Sequence, residues 1–455
     1  MLAFQAGELA RITGGTWADG QPELIQGFHF DTRQIESGHC FVALASEGRD
    51  GHDFLPDALS RGASCALTSR VVEGGLAQLV VPDTLAAMGA IGAEQRSRFT
   101  KPVVGITGSC GKTSTKEMLR LLLGQKVTHA TAGNWNNRIG VPMTLFALDP
   151  AVHDYAVIEA GINQPGEMVL LGAMIRPDLT ILTNIGPAHL ERLGSLERIA
   201  AEKSELAGTG GPVVLPASVL QYPAFARMGQ NCLALRFGDE QVPPEVGRVV
   251  DCRIEPVDGA CASKLLLEGR TYLLRSASSG MAQNAALALV AARELGIPEN
   301  LLAQRLEAWT PEGRRGRVVA AEGCFYYIDC YNANPASMLD ALATFEQSAP
   351  SRMPRCYVLG AMNELGQEAE AFHRSIGSKL LLRAQDRAFF VGPEGLTGAY
   401  LKGALSTGAS SGQFECAENV ATLQSMVADC NGALFLKGSR AYSLEQLLPD
   451  SIAAS

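Results

Sequence analysis

Long apolar runs, paired cysteine motifs and excess positive charge are all missing from this 455-residue chain. No stretch reaches the roughly 18 consecutive apolar residues that a membrane-crossing helix needs, so no span is expected. The opening residues, Met1-Leu2-Ala3-Phe4-Gln5-Ala6-Gly7-Glu8, put no basic region ahead of an apolar run, and no signal peptide is expected. Eleven cysteines contain no CxxC pair and no recurring spacing. That argues against a disulfide framework and for small buried side chains in a reducing compartment, so a cytoplasmic protein is expected. A formal charge of −9 speaks against general nucleic-acid binding. A polyanionic ligand would have to be met by locally placed donors. There is no internal repeat and no low-complexity segment.

What remains is the composition of an ordinary globular protein, 47% hydrophobic and 19% charged with 48 Gly and 22 Pro. The length exceeds one core and suggests about three domains. Residues 1–100 are mixed, with short apolar runs at 40–44 and 79–81. Residues 101–311 alternate strand-like runs (103–106, 155–158, 179–182) with helical stretches (113–124, 195–207, 281–295), the pattern of parallel βαβ units. The segment Trp309-Thr310-Pro311-Glu312-Gly313-Arg314 reads as a linker. Residues 312–455 repeat the alternation, with strands at 325–328, 356–359, 388–391 and 434–436 and helices near 336–347 and 368–385. The expected fold is α/β with three domains: a small N-terminal α/β domain, a central P-loop mononucleotide-binding parallel sheet and a C-terminal Rossmann-like domain.

The most informative segment is Gly105-Ile106-Thr107-Gly108-Ser109-Cys110-Gly111-Lys112-Thr113-Ser114. It leaves an apolar strand and enters an amphipathic helix. Glycines there let backbone N–H groups close on phosphate oxygens, and the helix start adds partial positive charge. Lys112 can reach the outer phosphates of a nucleotide, and the Thr113 hydroxyl can ligate Mg²⁺. A ligand-free glycine turn is the alternative. Ile106 stands where the usual pattern has its first glycine, so the spacing is GxxGxxGKT.

Ligands in open α/β sheets gather at the carboxyl ends of strands. Glu159 ends the run 156–159, and His189 follows the strand that ends at Thr183-Asn184. Lys203 lies in the helical stretch Ala200-Ala201-Glu202-Lys203-Ser204. Taken singly, each is compatible with a solvated turn carboxylate, a structural histidine and a surface lysine. Leu436-Lys437-Gly438-Ser439-Arg440 ends a strand and opens a helix, as an anion-binding turn or a plain capping turn.

Together the segments form an ordered set: the GxxGxxGKT loop, AGNWNNRIGVPMTL (132–145), EAGINQPGEM (159–168), NIGPAHLERLGS (184–195), AEKSEL (201–206), YNANPASM (331–338), ELGQEAEAFH (364–373) and LKGSRA (436–441). This order resembles the Mur ligases, in the branch that joins D-alanyl-D-alanine to a nucleotide-linked muramoyl peptide. Asp31-Thr32-Arg33 and FVALASEGRDGHDF (41–54) are similar to that branch's uridine-nucleotide domain. The resemblance implies ATP as phosphoryl donor, held by Gly108, Ser109, Cys110, Gly111, Lys112, Thr113 and Ser114. It implies two Mg²⁺ ions, one on Thr113 and Glu159, the other on His189 and Lys203. Lys203 would act as a carbamate, since a free ammonium repels a metal whereas a carbamate is anionic and offers oxygens. Asn284 would meet adenine, Asp329 the ribose and Arg314 the phosphates. Asn134, Asn136 and Asn137 would line the cleft, Asn332 the substrate side, and Asp31, Thr32 and Arg33 the uridine end.

The chain departs from the branch at Met281, where a histidine is usual, at Ile328 and Cys330, where Asp and Ser are usual, at Ala361, where Asp is usual, and at Gln164, where His is common. The implied reaction is ATP-dependent amide formation between UDP-N-acetylmuramoyl-tripeptide and D-alanyl-D-alanine through an acyl phosphate. Lys112, Glu159, His189 and Lys203 would be its working residues, in a monomer that engages neither membrane nor nucleic acid. Alternatives are another amino-acid ligase of the superfamily, a P-loop kinase, and a catalytically impaired nucleotide-binding paralogue.

Overall fold

A computed structural model describes residues 3–208, 210–257, 260–321, 323–428 and 431–453. The first two residues of the opening octet and Cys430 lie outside this set. The chain divides into two compact units. One comprises 1–107, 123–181 and 202–213; the other comprises 108–122, 182–201 and 214–455.

The first unit begins with a five-stranded sheet in the order Thr16–Ala18, Ala77–Val80, Cys65–Thr68, His39–Val42, Gly27–His29. Only its Thr16–Ala18 edge is antiparallel. The helices Ala6–Thr13 and Thr84–Arg98 cover a core of Leu9, Phe28, Val42, Leu67, Leu79, Met88 and Ile91. Burial of such side chains is the main force holding a layer of this kind together. Asp83 caps the longer helix, accepting from the N–H groups of Leu85 and Ala86 at 2.8 and 3.0 Å.

The same unit holds the strands Thr128–Ala130, Tyr155–Glu159 and Val103–Thr107, paired in parallel in that order. The residues of Val103–Thr107 are buried throughout, which is why its sequence is continuously apolar instead of alternating.

In the second unit Cys232–Phe237 pairs in parallel with Arg248–Pro256. Arg248–Pro256, Ser263–Leu267 and Arg270–Leu274 then form an antiparallel meander that the βαβ alternation did not reveal. The last sheet runs Arg317–Ala321, Cys324–Asp329, Ala433–Lys437, Arg355–Gly360, Arg387–Val391, Phe414–Ala417. All its pairings are parallel except the first. Its two faces bury separate cores, one around Tyr327, Phe345, Tyr357, Phe390 and Phe435, the other around Ile328, Val358, Phe389 and Leu436. Asn334 and Ser337 form a reciprocal capping box that starts the helix Pro335–Ser348.

The expected helix at 368–385 is shorter, Ala369–Gly377. Gly377 passes so close to the Tyr400 carbonyl that a Cβ would lie 2.1 Å from it, and the chain then turns around Asp386. The Asp386 carboxylate accepts from the main-chain N–H groups of Arg355 and Arg383. Tertiary contacts therefore end a helix that its own periodicity would have continued. No disulfide links the described cysteines, and no helix among the described residues is long and apolar enough to cross a membrane.

Candidate active site

The phosphate loop takes its shape from two glycines and one asparagine. Gly108 adopts φ 151°, and a Cβ there would sit 1.8 Å from the Thr183 hydroxyl oxygen. Gly111 has φ 80°, and a Cβ would meet the Asn284 amide at 2.5 Å. No other residue type fits either position. Asn184 accepts through Oδ1 from the N–H groups of Ser109 and Cys110 at 3.1 and 2.9 Å, so these two donors converge on one oxygen. Thr183 donates its hydroxyl to the Cys110 carbonyl at 2.5 Å. The helix Lys112–Leu123 starts directly after the turn, and its N-terminus supplies the anion-binding end. The Lys112 ammonium folds back onto the Gly108 carbonyl at 2.8 Å, within the loop it would serve. Ser114 is buried behind it.

Asn184 stood in a motif without a role assigned from sequence, and Asp340 stood in no motif at all. The Asp340 carboxylate accepts from the hydroxyls of Ser278 and Ser279 and from the Gly280 N–H, at 2.6, 2.9 and 3.0 Å. It thereby fixes the start of the helix that carries Asn284. The Asn284 amide accordingly stands beside the phosphate turn itself. The usual histidine position, Met281, is held by its main chain to the Ser278 hydroxyl at 2.9 Å. Periodicity gave no signal for either Asn184 or Asp340, because both act across segments distant in sequence.

His189 has φ 57° and precedes the short helix Leu190–Leu193; its Nδ1 meets the carboxylate of Glu364. That hydrogen bond holds the Glu364 carboxyl below its ordinary value. In the last sheet Asp329 and Lys437 end adjacent parallel strands, and Lys437 Nζ donates to Asp329 at 2.5 Å. Lys437 is buried, where an ammonium needs such a partner. Arg314 pairs with Glu445 at 2.9 Å, and Arg315 lies 3.8 Å over the Tyr331 ring. Asn332 accepts the Ala333 N–H with its side chain and offers its carbonyl to Lys437 at 3.3 Å. Cys330 is buried, and burial pushes its thiol up to about 12. Ala361 is also buried.

In the first unit Glu159 ends its strand almost fully buried. Its N–H donates to the Thr131 hydroxyl at 2.9 Å, and its Oε1 accepts from the Asn136 amide at 2.7 Å. The Asn137 side chain closes the turn that leads into the helix Gly140–Phe146, accepting from the N–H groups of Ile139 and Gly140 at 3.1 and 2.9 Å. Asn134 offers its carbonyl to Asn136 at 2.7 Å. Lys203 is buried, a poor setting for the solvated surface lysine that its isolated context allowed. Glu202 beside it accepts the Gly166 N–H at 2.9 Å and anchors the turn after Glu159.

Asp31 caps the short helix Thr32–Gln34, accepting from the Arg33 N–H at 3.0 Å and from its guanidinium. Arg33 thereby holds the Asp31 carboxyl down at about 2, while Thr32 is buried. Each in its own unit, the Thr113 hydroxyl and the Glu159 carboxylate are hard oxygen donors of the kind Mg²⁺ takes. Among the described residues no three His, Cys, Asp or Glu side chains form a ready-made metal cluster.

The glycine turn, its lysine and the parallel sheets define a P-loop nucleotide-binding protein with a second, separate α/β sheet. Family profiles for the Mur ligase middle domain and for the Mur ligase glutamate ligase domain match residues 106–240 and 314–440. UDP-N-acetylmuramoyl-tripeptide–D-alanyl-D-alanine ligase of Synechocystis is 36% identical over 82% of this chain and 81% of its own. The ligase of the same name from Escherichia coli is 31% identical over 98% of each. The crystal structure of MurF from Acinetobacter baumannii superposes with a TM-score of 0.85 at 29% identity, covering 98% of both chains. MurF of Thermotoga maritima, in complex with ADP, shares the fold with a TM-score of 0.77 at 24% identity, covering 92% of this chain and 95% of that one. The chain belongs to the Mur ligase family, and it is a ligase.

Proposed function

We propose that the protein joins the amine of D-alanyl-D-alanine to the terminal carboxylate of UDP-N-acetylmuramoyl-tripeptide at the expense of ATP. The observation that carries the chemistry is the phosphate turn, closed by Gly108 and Gly111 with Lys112 at its centre. The relatives, named for one and the same ligase, point to the substrate pair.

A carboxylate resists attack by an amine because oxide is a poor leaving group. Transfer of the ATP γ-phosphoryl group to a carboxylate oxygen gives an acyl phosphate and ADP. The amine nitrogen then bonds to the carbonyl carbon, the C–O bond to phosphate breaks, and the nitrogen loses a proton. Phosphoryl transfer asks the protein chiefly for positioning and charge neutralisation. Lys112 and the helix start meet the phosphates, and Asn184 and Asn284 hold the turn. Thr113 and Glu159 would hold one Mg²⁺, and His189 with Lys203 as its carbamate a second; such ions neutralise charge on the phosphoryl oxygens. Arg314 and Asp329 serve the nucleotide once their present partners, Glu445 and Lys437, share them.

In this reading residues 1–100 hold the uridine end through Asp31, Thr32 and Arg33, 101–311 hold ATP, and 312–455 deliver the amine. Asn134 and Asn332 line the substrate path, and Asn137 the nucleotide side of the cleft. The protein acts as a cytoplasmic monomer.

The deciding experiment incubates the protein with ATP, Mg²⁺, UDP-N-acetylmuramoyl-tripeptide and a panel of amines including D-alanyl-D-alanine, and weighs the products. A product heavier by the dipeptide, with one ADP per bond, is expected. ADP release that needs no amine, or preference for a different amino acid, overturns the reading.

A further inference from the structure

Two of the six non-glycine residues with positive φ among the described residues, His189 at 57° and Glu364 at 66°, face each other. A left-handed conformation costs a non-glycine residue about 1–2 kcal/mol. A partly exposed ion pair returns about 0–1 kcal/mol. The contact therefore costs more than it stabilises, and backbone strain retained in this way points to function.

The loop bearing Glu364 is held from behind. Met362 N–H donates to His373 Nε2 at 2.9 Å, and Asn363 N–H to the Ser439 hydroxyl at 3.0 Å. Tyr442 donates its hydroxyl to Asn363 Oδ1 at 3.1 Å. At its front, Glu191 N–H donates to the Glu364 carbonyl at 3.3 Å, and a Cβ on Gly366 would sit 3.3 Å from the Glu191 Cα. The Glu364 carboxylate is thus delivered to His189 by an element rooted in the last sheet.

We propose that Glu364 is a positioning residue. By accepting a hydrogen bond from His189 Nδ1–H it fixes the tautomer and ring orientation that leave Nε2 unprotonated as the working nitrogen. A carboxylate behind a ligating histidine acts in this way in metal sites. The site at His189 is then complete only when the loop 361–366 is seated, which ties activation of the carboxylate to arrival of the amine-bearing sheet. This rests on the role given to His189 above.

The test uses the full-length protein with ¹⁵N-labelled histidine, free of nucleotide and metal, in buffer alkaline enough to keep imidazoles neutral. The His189→Gln variant identifies the His189 signals among seven histidines. Wild type should show protonated Nδ1 and bare Nε2. Glu364→Gly, which relieves the positive φ and so folds without penalty, should revert toward the Nε2-protonated form. Its kcat should drop about 10–100-fold with the KM for ATP nearly unchanged. Glu364→Gln, whose amide oxygen still accepts from Nδ1, should keep the tautomer and recover much of kcat. An unaltered tautomer or an unaltered kcat in Glu364→Gly overturns the proposal. A fully active His189→Gln overturns instead the role assigned to His189, and the two failures are told apart by the spectrum.

Discussion

Replacing Gly108 by alanine tests the phosphate turn most directly. The added methyl would lie 1.8 Å from the Thr183 hydroxyl oxygen and 3.0 Å from its Cβ, so one of the two segments must move by more than an ångström. Overpacking of this kind costs about 1–3 kcal/mol. Holding alanine at φ 151°, where L-residues rarely sit, adds about 1–3 kcal/mol. The displaced threonine also loses its bond to the Cys110 carbonyl, worth about 1 kcal/mol. A total of about 3–7 kcal/mol exceeds what the turn's own few hydrogen bonds return, so the loop should open and Mg-ATP affinity should fall by at least 100-fold in calorimetry. The double variant Gly108→Ala/Thr183→Gly removes the clash but not the φ strain, and should recover part of the affinity. The resulting coupling is readable in a double-mutant cycle. Wild-type affinity in Gly108→Ala alone would refute the reasoning, because the turn could not then have the close approach on which the binding argument depends.

Lys112→Ala should fold normally, since its ammonium contacts the loop's own carbonyl, yet lose amine-dependent ADP release by about 100-fold or more, as followed in a coupled assay. Lys203→Ala should be inactive and partly restored by a small added carboxylate; intact-protein mass spectrometry in CO₂-rich buffer should find a CO₂ adduct that this variant lacks. Asp386 is buried, and burial alone would raise its pKa, but the Arg383 side chain and the main-chain N–H groups of Arg383 and Arg355 outweigh this and hold it below the ordinary value. Its stabilising contribution is therefore complete above the unfolded carboxyl pKa near about 4 and is lost as pH falls through the lower folded value. Asp386→Ala should lower stability at neutral pH by about 3 kcal/mol in denaturant titration, with a shallower acid limb; an unchanged acid limb would count against this.

The sequence by itself determined the elements that answer to local rules. The apolar runs 103–106 and 155–158, the glycine-spaced turn and the helix from Lys112 were legible because burial on both sheet faces and the conformational freedom of glycine leave direct marks on residue type. The motif order also carried the family, because most of its motifs stand at the end of a strand or the start of a helix, AEKSEL at the end of one. Only the tertiary structure decided what depends on distant residues. Periodicity would have carried the helix 369–377 further, but the Tyr400 carbonyl and the Asp386 turn end it. Nothing in the spacing of Asn184, Asp340 or Glu364 announces that they fasten the phosphate turn, the Asn284 helix and His189. The physical reason is range. Propensity and periodicity act over a few residues, whereas hydrogen bonds that orient a site join segments far apart in the chain, and their geometry exists only once the chain has folded.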